Sequence, residues 1–382
     1  MRIVVLRETL PGEARVGLVP ESVKKLATQK IEIAIEAGAG EGAGFNDSDY
    51  QAAGANVTTE RSQLLPAADV LIAVQRPSAS YMAAMRPGSV LIGFLRPLDE
   101  PAELAPAIGL KLTTFAVELI PRITRAQAMD ALSSMATVVG YKAVLIAAEH
   151  LPRMFPLLMT AAGTVAPARV LVLGAGVAGL QAIATARRLG AIVEAYDVRA
   201  AAGEQVKSLG GKFLEVDLGG IATEDAGGYA RELSPEALQR GIELVTKHAK
   251  TADAVITTAA VPGRRAPLML TAEAVNGMRR GSVVIDLSAS TGGNVALSRP
   301  DEVVVTNNGV TILAPLNLAA TVPYHASQLF SRNMTSFIQL LNKDGQLNID
   351  MTDDVVGASC VTHQGQVVNP RVASALSVSA AK

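Results

Sequence analysis

The chain has 382 residues, 49% of them apolar, with 34 basic against 35 acidic side chains, so it is long enough for two domains with separate cores. That near-neutral balance argues against nucleic acid or an anionic membrane as an electrostatic partner. One cysteine, Cys360, excludes an internal disulfide framework and fits a reducing compartment.

The start, Met1 to Arg7, has no long apolar core and no small-residue cleavage site, so no signal peptide is expected. No run of 18 uncharged apolar residues suggests a membrane span. From Arg2 to about Glu118, short apolar runs alternate with helical stretches. Strands are predicted at Ile3–Leu6, Ile31–Ile35, Val70–Val74, Val90–Phe94 and Thr113–Glu118. Helices are predicted near Ser22–Ala27, Asp47–Ala53, Arg61–Leu65, Tyr81–Met85 and Ala102–Ala107. Such alternation is the signature of a parallel α/β sheet. The run from Gly38 to Gly44 imitates a phosphate loop, but Phe45-Asn-Asp-Ser-Asp49 follows it instead of an apolar helix, so it reads as a flexible structural loop.

Residues 126–151 carry one long helical pattern, the expected crossing into a second domain. Next comes the most informative stretch of the chain. Val170 to Leu173 is short, apolar and β-branched, and it stops at Gly174-x-Gly176-x-x-Gly179, after which Leu180, Ile183, Ala184 and Leu189 recur at helical spacing. A second apolar run, from Ile192, ends on Asp197, 18 positions after Gly179. Gly174 permits the sharp turn, Gly176 lets the backbone approach a pyrophosphate, and Gly179 lets helix and strand pack closely. The N–H groups of the helix start face the phosphates, and Asp197 takes the ribose hydroxyls and repels a 2′-phosphate, which points to NAD(H) rather than NADP(H). Arg199 tempers that preference, since a nearby arginine accommodates a 2′-phosphate. The alternative is a glycine-punctuated βα turn in some other doubly wound sheet.

A strand is predicted at Lys212–Val216, then an irregular stretch from Asp217 to Tyr229 that is either a mobile lid or disordered. Ser234-Pro235-Glu236 caps a helix to His248. Strands at Ala254–Thr258, Val283–Asp286, Val303–Val305 and Thr311–Ala314 complete a second sheet, and a helix over Ala319–Leu341 returns the chain to its first domain. The tail from Val355 to Val368 reads as a hairpin around Gln364-Gly365. The fold class is therefore α/β, two doubly wound (Rossmann-like) parallel-sheet domains linked by long helices. Residues 1–135 completed by 316–382 form the first domain and 136–315 the second, dinucleotide-binding one.

Reducing a carbonyl with a nicotinamide needs a general acid and a cation for the substrate carboxylate. His150, His248, His325 and His363 are scattered and read as solvated, and no cluster has metal-ligand spacing. Around Arg122, Gln127 and Asp130 lie three apart at the start of the long helix and share a face, with Ser133 and Ser134 one turn on. Helix capping and a solvated pair are ordinarily the better account of such residues; their place at the domain crossing shifts the reading towards function, because nucleotides sit in clefts between α/β domains.

Several motifs together resemble the NAD(H)-binding component, domain I, of proton-translocating NAD(P) transhydrogenases. They are Pro11-Gly-Glu-Ala-Arg-Val-Gly-Leu-Val-Pro20, Val74-Gln-Arg-Pro77, Glu118-Leu-Ile-Pro-Arg-Ile-Thr-Arg-Ala-Gln127 with Met129-Asp130, Thr160-Ala-Ala-Gly-Thr-Val165, Gly176-Val-Ala-Gly-Leu-Gln-Ala-Ile-Ala-Thr-Ala186 and Ser208-Leu-Gly-Gly-Lys-Phe213. The likeness spans essentially the whole chain. Alanine dehydrogenases share the fold and are the rival. Arg15 resembles their substrate-carboxylate arginine, but their pyruvate-binding lysine aligns with Gln75, their catalytic histidine with Arg96 and their catalytic aspartate with Ser290. Ser290 also departs from a glutamate common among transhydrogenase relatives.

By resemblance, Arg122, Gln127, Asp130 and Ser133 orient the nicotinamide and reach towards a facing NADP(H) domain. Val177, Asp197, Val198 and Arg199 contact pyrophosphate and ribose, Gly228 and Tyr229 form the tip of a loop closing over the nucleotide, and Ala260 lines the adenosine side. The resemblance further implies a homodimer, an NADP(H)-binding subunit, a membrane-embedded subunit passing protons, and a place at the cytoplasmic face of a bacterial membrane. A free-standing alanine dehydrogenase-like enzyme and a non-catalytic NAD(H)-binding subunit remain as alternatives.

Overall fold

The computed structural model describes residues 1–216, 234–260 and 263–380. It divides into two compact units, Met1–Met135 with Ala319–Lys382, and Ala136–Leu318. The irregular stretch from Asp217 to Tyr229, with Gly228 and Tyr229, lies outside the described residues.

In the first unit, β1 (Arg2–Val5), β2 (Glu32–Glu36), β3 (Asn56–Thr58), β4 (Val70–Gln75), β5 (Val90–Phe94) and β6 (Thr113–Ala116) run parallel. Between them lie α1 (Pro20–Ala27), α2 (Asp47–Ala52), α3 (Arg61–Ala67), α4 (Ala79–Ala83) and α5 (Ala105–Gly109). Val70 to Val74 in β4 are all buried, as a strand covered on both faces requires. The run from Gly38 to Gly44 is not a loose loop: a Cβ on Gly40 would stand 2.6 Å from the Tyr50 ring, and Gly38 donates to the Asp47 carboxylate. Close packing accounts for Gly40, and left-handed backbone, with φ of 76° and 81°, accounts for Gly38 and Gly44.

The long helical pattern resolves into two pieces. Thr124–Met129 is 3-10, and α6 (Ala131–His150) starts afresh after Asp130, whose ψ of 81° leaves the helical region. The Asp130 carboxylate accepts from the Ser133 amide at 2.8 Å and hydroxyl at 2.6 Å, capping the new helix. Gln127 and Asp130 therefore do not share a face of one α-helix, as their spacing suggests. By length and composition α6 could cross a membrane, yet Ala143, Val144 and Ala147 lie in one buried cluster with Val170, Val172 and Ile183, which makes it a core helix.

The second unit opens with an exposed hairpin that sequence patterning misses, β7 (Leu158–Thr160) and β8 (Gly163–Val165). Its sheet is built from β9 (Arg169–Leu173), β10 (Ile192–Tyr196), β11 (Lys212–Phe213), β12 (Ala254–Thr257), β13 (Val283–Asp286), β14 (Val303–Val305) and β15 (Thr311–Leu313). The helices are α7 (Val177–Arg188), α8 (Ala202–Ser208), α9 (Pro235–Ala249) and α10 (Ala272–Asn276). Strand order is β11-β10-β9-β12-β13-β15-β14, parallel except for β14, which pairs antiparallel with β15. β11 stops at Phe213, three residues short of the predicted strand.

The chain then returns through α11 (Pro323–Leu341) and a small hairpin, β16 (Asn342–Lys343) with β17 (Gln346–Leu347). In the tail, α12 (Asp354–Ser359) precedes a short hairpin, β18 (Cys360–His363) with β19 (Gln366–Val367), and α13 (Pro370–Ala380) ends the described chain. The predicted hairpin is thus only its second half. Asp353 accepts from the amides of Val355 and Val356, and that cap turns the first half into helix. β18 joins the first sheet antiparallel to β6, giving the order β19-β18-β6-β5-β4-β1-β2-β3.

Candidate nucleotide-binding and hydride-transfer residues

β9 ends at Gly174, which has a φ of 96°, and the chain enters α7 with Gly176 as N-cap. A Cβ on Gly179 would stand 1.8 Å from the Gly174 carbonyl oxygen, so helix and turn are in backbone contact. A Cβ on Gly176 would meet nothing within 4 Å. The turn therefore offers open space beside the free N–H groups of a 12-residue helix start, which fits the pyrophosphate of NAD(H). Val177, the first residue of α7, is exposed.

Asp197, at the end of β10, is 8% exposed and accepts from the Ala175 amide at 2.7 Å, tying the second strand to the glycine turn. Arg199 folds back on it: the backbone amide donates to Oδ1 at 2.8 Å, Nε to Oδ1 at 2.9 Å and Nη2 to Oδ2 at 2.9 Å. The carboxylate is thus held at the end of the strand by the Ala175 amide and Arg199, and it pairs with that arginine. Val198 is half-buried and Ala260 is exposed. Thr258 caps the neighbouring strand, its hydroxyl donating to the Gly174 carbonyl at 3.0 Å.

In the first unit, Arg122 and Gln127 are exposed, while Asp130 and Ser133 are half-buried and bonded to each other. The 3-10 turn bearing Gln127 is fixed from two sides: the Asn333 amide donates to the Ala128 carbonyl at 2.9 Å, and Arg125 forks onto Asp353 at 2.8 and 3.1 Å. The Arg125 guanidinium holds the Asp353 carboxyl down to about 2. At the base of this segment, burial pushes the Glu118 carboxyl up to about 7, against the pull of the Leu95 and Arg96 amides it accepts. The structure therefore brings together Asp130 and Ser133 and presents Gln127 on a braced turn.

Arg15 is 4% exposed and fully engaged. Its Nε donates to Glu13 Oε1 at 2.7 Å, Nη2 to Glu13 Oε2 at 2.5 Å, and Nη1 to the Met135 sulfur at 3.2 Å. The Gln75 amide adds a further bond to Glu13 Oε2 at 3.0 Å. Nearby Glu8 accepts from the Val74 and Gln75 amides, and desolvation pushes its carboxyl up to about 7. Sequence reading singled out Arg15 and Gln75 but not Glu13, although Glu13 stands two residues away in the same motif. Arg96, with a φ of 52°, turns to Glu100 at 3.1 Å, and Ser290 is exposed. Three of the four histidines have hydrogen-bond partners within the chain: His248 bonds Glu194 at 2.8 Å, His363 bonds Thr113 at 2.9 Å and His150 bonds the Ile146 carbonyl at 3.0 Å.

The alanine dehydrogenase/PNT N-terminal domain profile matches residues 4–139, and the C-terminal domain profile matches residues 143–370. The chain belongs to the alanine dehydrogenase/PNT family. Across 97% of its length it is 46% identical to an NAD(P) transhydrogenase alpha subunit chain of Rhodospirillum rubrum, covering 98% of that protein. A transhydrogenase structure from Sinorhizobium meliloti superposes with a TM-score of 0.88 at 43% identity, over 96% of this chain and 100% of that one. An L-alanine dehydrogenase structure superposes with a TM-score of 0.83 at 26% identity, over 99% of each chain. Within the alanine dehydrogenase/PNT family, then, the relatives at the higher identities are transhydrogenases, and this member's Arg15 is sealed by Glu13.

Proposed function

We propose that the chain is the NAD(H)-binding component of a proton-translocating NAD(P) transhydrogenase, passing hydride between NADH and NADP+ held on a partner subunit. What carries the reading is the closure of Arg15 by Glu13: a dinucleotide turn is present, while the arginine that resembles the keto-acid carboxylate group of alanine dehydrogenases is held by an internal carboxylate. With Gln75, Arg96 and Ser290 at the positions of the dehydrogenase lysine, histidine and aspartate, the three groups that resemble a carbonyl-reducing set are replaced. Hydride transfer between two nicotinamides moves no proton; it needs only alignment and dryness.

When bound, NAD(H) supplies the hydride. Gly174, Gly176, Val177 and Gly179 seat its pyrophosphate, Asp197, Val198 and Arg199 its adenosine ribose, and Ala260 the adenosine side. Arg122, Gln127, Asp130 and Ser133 act at the nicotinamide end. There the exposed Gln127 amide, both donor and acceptor, orients the ring, and Asp130 with Ser133 holds the turn in place. Gly228 and Tyr229, outside the described residues, belong to the closing loop. The homodimer is supported by the apolar side chains around the hairpin of the second unit, where Met154, Leu157, Met159 and Val165 are exposed. A membrane-embedded subunit passing protons, and a place at the cytoplasmic face of the membrane, complete the proposal.

Mixed with an NADP(H)-binding transhydrogenase domain, the chain is expected to exchange hydride rapidly between bound nucleotides, as followed by stopped-flow absorbance. Tight NADH binding without exchange would favour a non-catalytic binding subunit. Given pyruvate, ammonia and NADH, the chain alone should leave the NADH untouched, and robust oxidation would sink the proposal in favour of a dehydrogenase. Gln127→Asn, which shortens the amide by one methylene, is expected to slow exchange by about tenfold or more while NADH affinity stays within about twofold. A fully active variant would remove Gln127 from the nicotinamide end.

A further inference from the structure

Outside the glycine turn and Asp197, the second unit holds a buried polar cluster that none of these roles uses. Asp286, at the end of β13, is fully buried and its carboxylate is saturated. It accepts from the Thr257 hydroxyl at 3.1 Å, the Ser288 amide at 3.1 Å, the Asn294 amide at 3.1 Å, the Val295 amide at 3.2 Å and the Ser298 hydroxyl at 2.7 Å. A carboxylate with this many donors fixes the path of the segment from Ser288 to Ser298. What it holds in place is Asn294, also fully buried.

The Asn294 side chain grips one residue from both sides. Its Oδ1 accepts from the Ala259 amide at 3.1 Å, and its Nδ2 donates to the Ala259 carbonyl at 2.8 Å and to the Pro267 carbonyl at 2.8 Å. The Ser288 hydroxyl adds a bond to the Ala259 carbonyl at 3.0 Å. Ala259 follows Thr258, whose amide donates to the Leu173 carbonyl at 2.7 Å and whose hydroxyl lies where a Cβ on Gly174 would come within 2.7 Å. The glycine turn is therefore packed against a backbone whose position is set by a side chain 35 residues further on.

We propose that Asn294 is a positioning residue of the nucleotide site. Anchored by Asp286, it presets the Thr258–Ala260 backbone so that the adenosine half of the dinucleotide meets a preformed wall. This rests on the NAD(H)-binding reading. Asn294 touches no ligand; it acts through Ala259. The amide suits the task because it carries an acceptor and two donors on one rigid plane, and so meets a backbone N–H and two backbone C=O groups at once.

The test uses the full chain and three ligands, NADH, ADP-ribose and reduced nicotinamide mononucleotide, titrated by fluorescence or calorimetry beside a thermal melt. Asn294→Leu removes the acceptor of the Ala259 amide and one of the two donors to the Ala259 carbonyl, and the loss of such buried bonds shifts an affinity by about tenfold. NADH and ADP-ribose are expected to weaken by that common factor, with affinity for the mononucleotide unchanged. Because loss of structure would lower all three, the split separates positioning from damage. Ser288→Ala, which removes one bond to the Ala259 carbonyl and leaves Asn294 in place, should show the same split at about threefold, and decides the matter if Asn294→Leu does not fold. ADP-ribose affinity unchanged in a folded Asn294→Leu, or in Ser288→Ala if that is the variant that folds, or an equal loss for all three ligands, overturns the proposal. A wild-type chain that binds no NADH overturns the functional reading instead, and the same titration distinguishes the two.

Discussion

Gly179→Ala is expected to weaken NADH binding because the turn and helix that seat the pyrophosphate are forced apart and the second unit is destabilised. The added methyl would lie 1.8 Å from the Gly174 carbonyl oxygen, which is backbone on both sides and has no flexible side chain to yield. Overpacking of this severity costs about 3 kcal/mol or more, enough to lower the melting temperature of a domain of this size by about 6–12 °C. Gly176→Ala is the matched contrast. It is exposed, has an ordinary φ of −75°, and its methyl meets no protein atom within 4 Å. Its melting temperature should stay within about 2 °C of wild type. NADH affinity should nevertheless fall by about tenfold or more, because the methyl fills the space through which a pyrophosphate approaches the backbone. Calorimetry beside NADH titration reads both. Wild-type NADH affinity in Gly176→Ala would take the pyrophosphate away from this turn, and an unshifted melt in Gly179→Ala would refute the steric argument.

The second large effect belongs to Asp197. Its carboxylate holds the Ala175 amide and neutralises Arg199, so replacing it changes both affinity and preference. Asp197→Asn should weaken NADH by about 10- to 100-fold, the range for losing charge-assisted hydrogen bonds to two hydroxyls. The same change leaves the Arg199 guanidinium without its carboxylate, beside the position a 2′-phosphate would occupy. The preference for NADH over NADPH is therefore expected to shrink by at least about tenfold. Fluorescence titration with both nucleotides checks it, and an unchanged ratio would show that Asp197 does not set the choice.

How far the sequence foretells these features follows from how local each one is. The βα turn at Gly174–Gly179 and the acid at Asp197 are legible because strand, glycines, helix and acid are consecutive, and each answers to a short-range constraint. The alternation of strands and helices is legible for the same reason. The break at Asp130 is not, because no glycine or proline marks it and only the carboxylate's own choice of partner, Ser133, ends one helix and starts the next. Nor is the antiparallel entry of β18 beside β6, which depends on a partner far away in the chain. Glu13 sits in plain view beside Arg15, yet spacing alone does not say whether an acid two residues away faces a guanidinium or turns from it. Asn294 gives no local sign of its role, since its partners Ala259 and Pro267 come from a different crossover.

The capture of Arg15 by Glu13 has a consequence for life in a cell rich in small acids. An internal carboxylate two residues from its guanidinium is never diluted. Its effective concentration is on the order of millimolar for a loosely tethered partner and higher for one already fixed in place. Pyruvate or any other metabolite at ordinary levels would compete against a partner that is always present. Fluctuating pools of amino and keto acids should therefore leave this protein's nucleotide traffic undisturbed, and carboxylate inhibitors aimed at alanine dehydrogenases should pass it by.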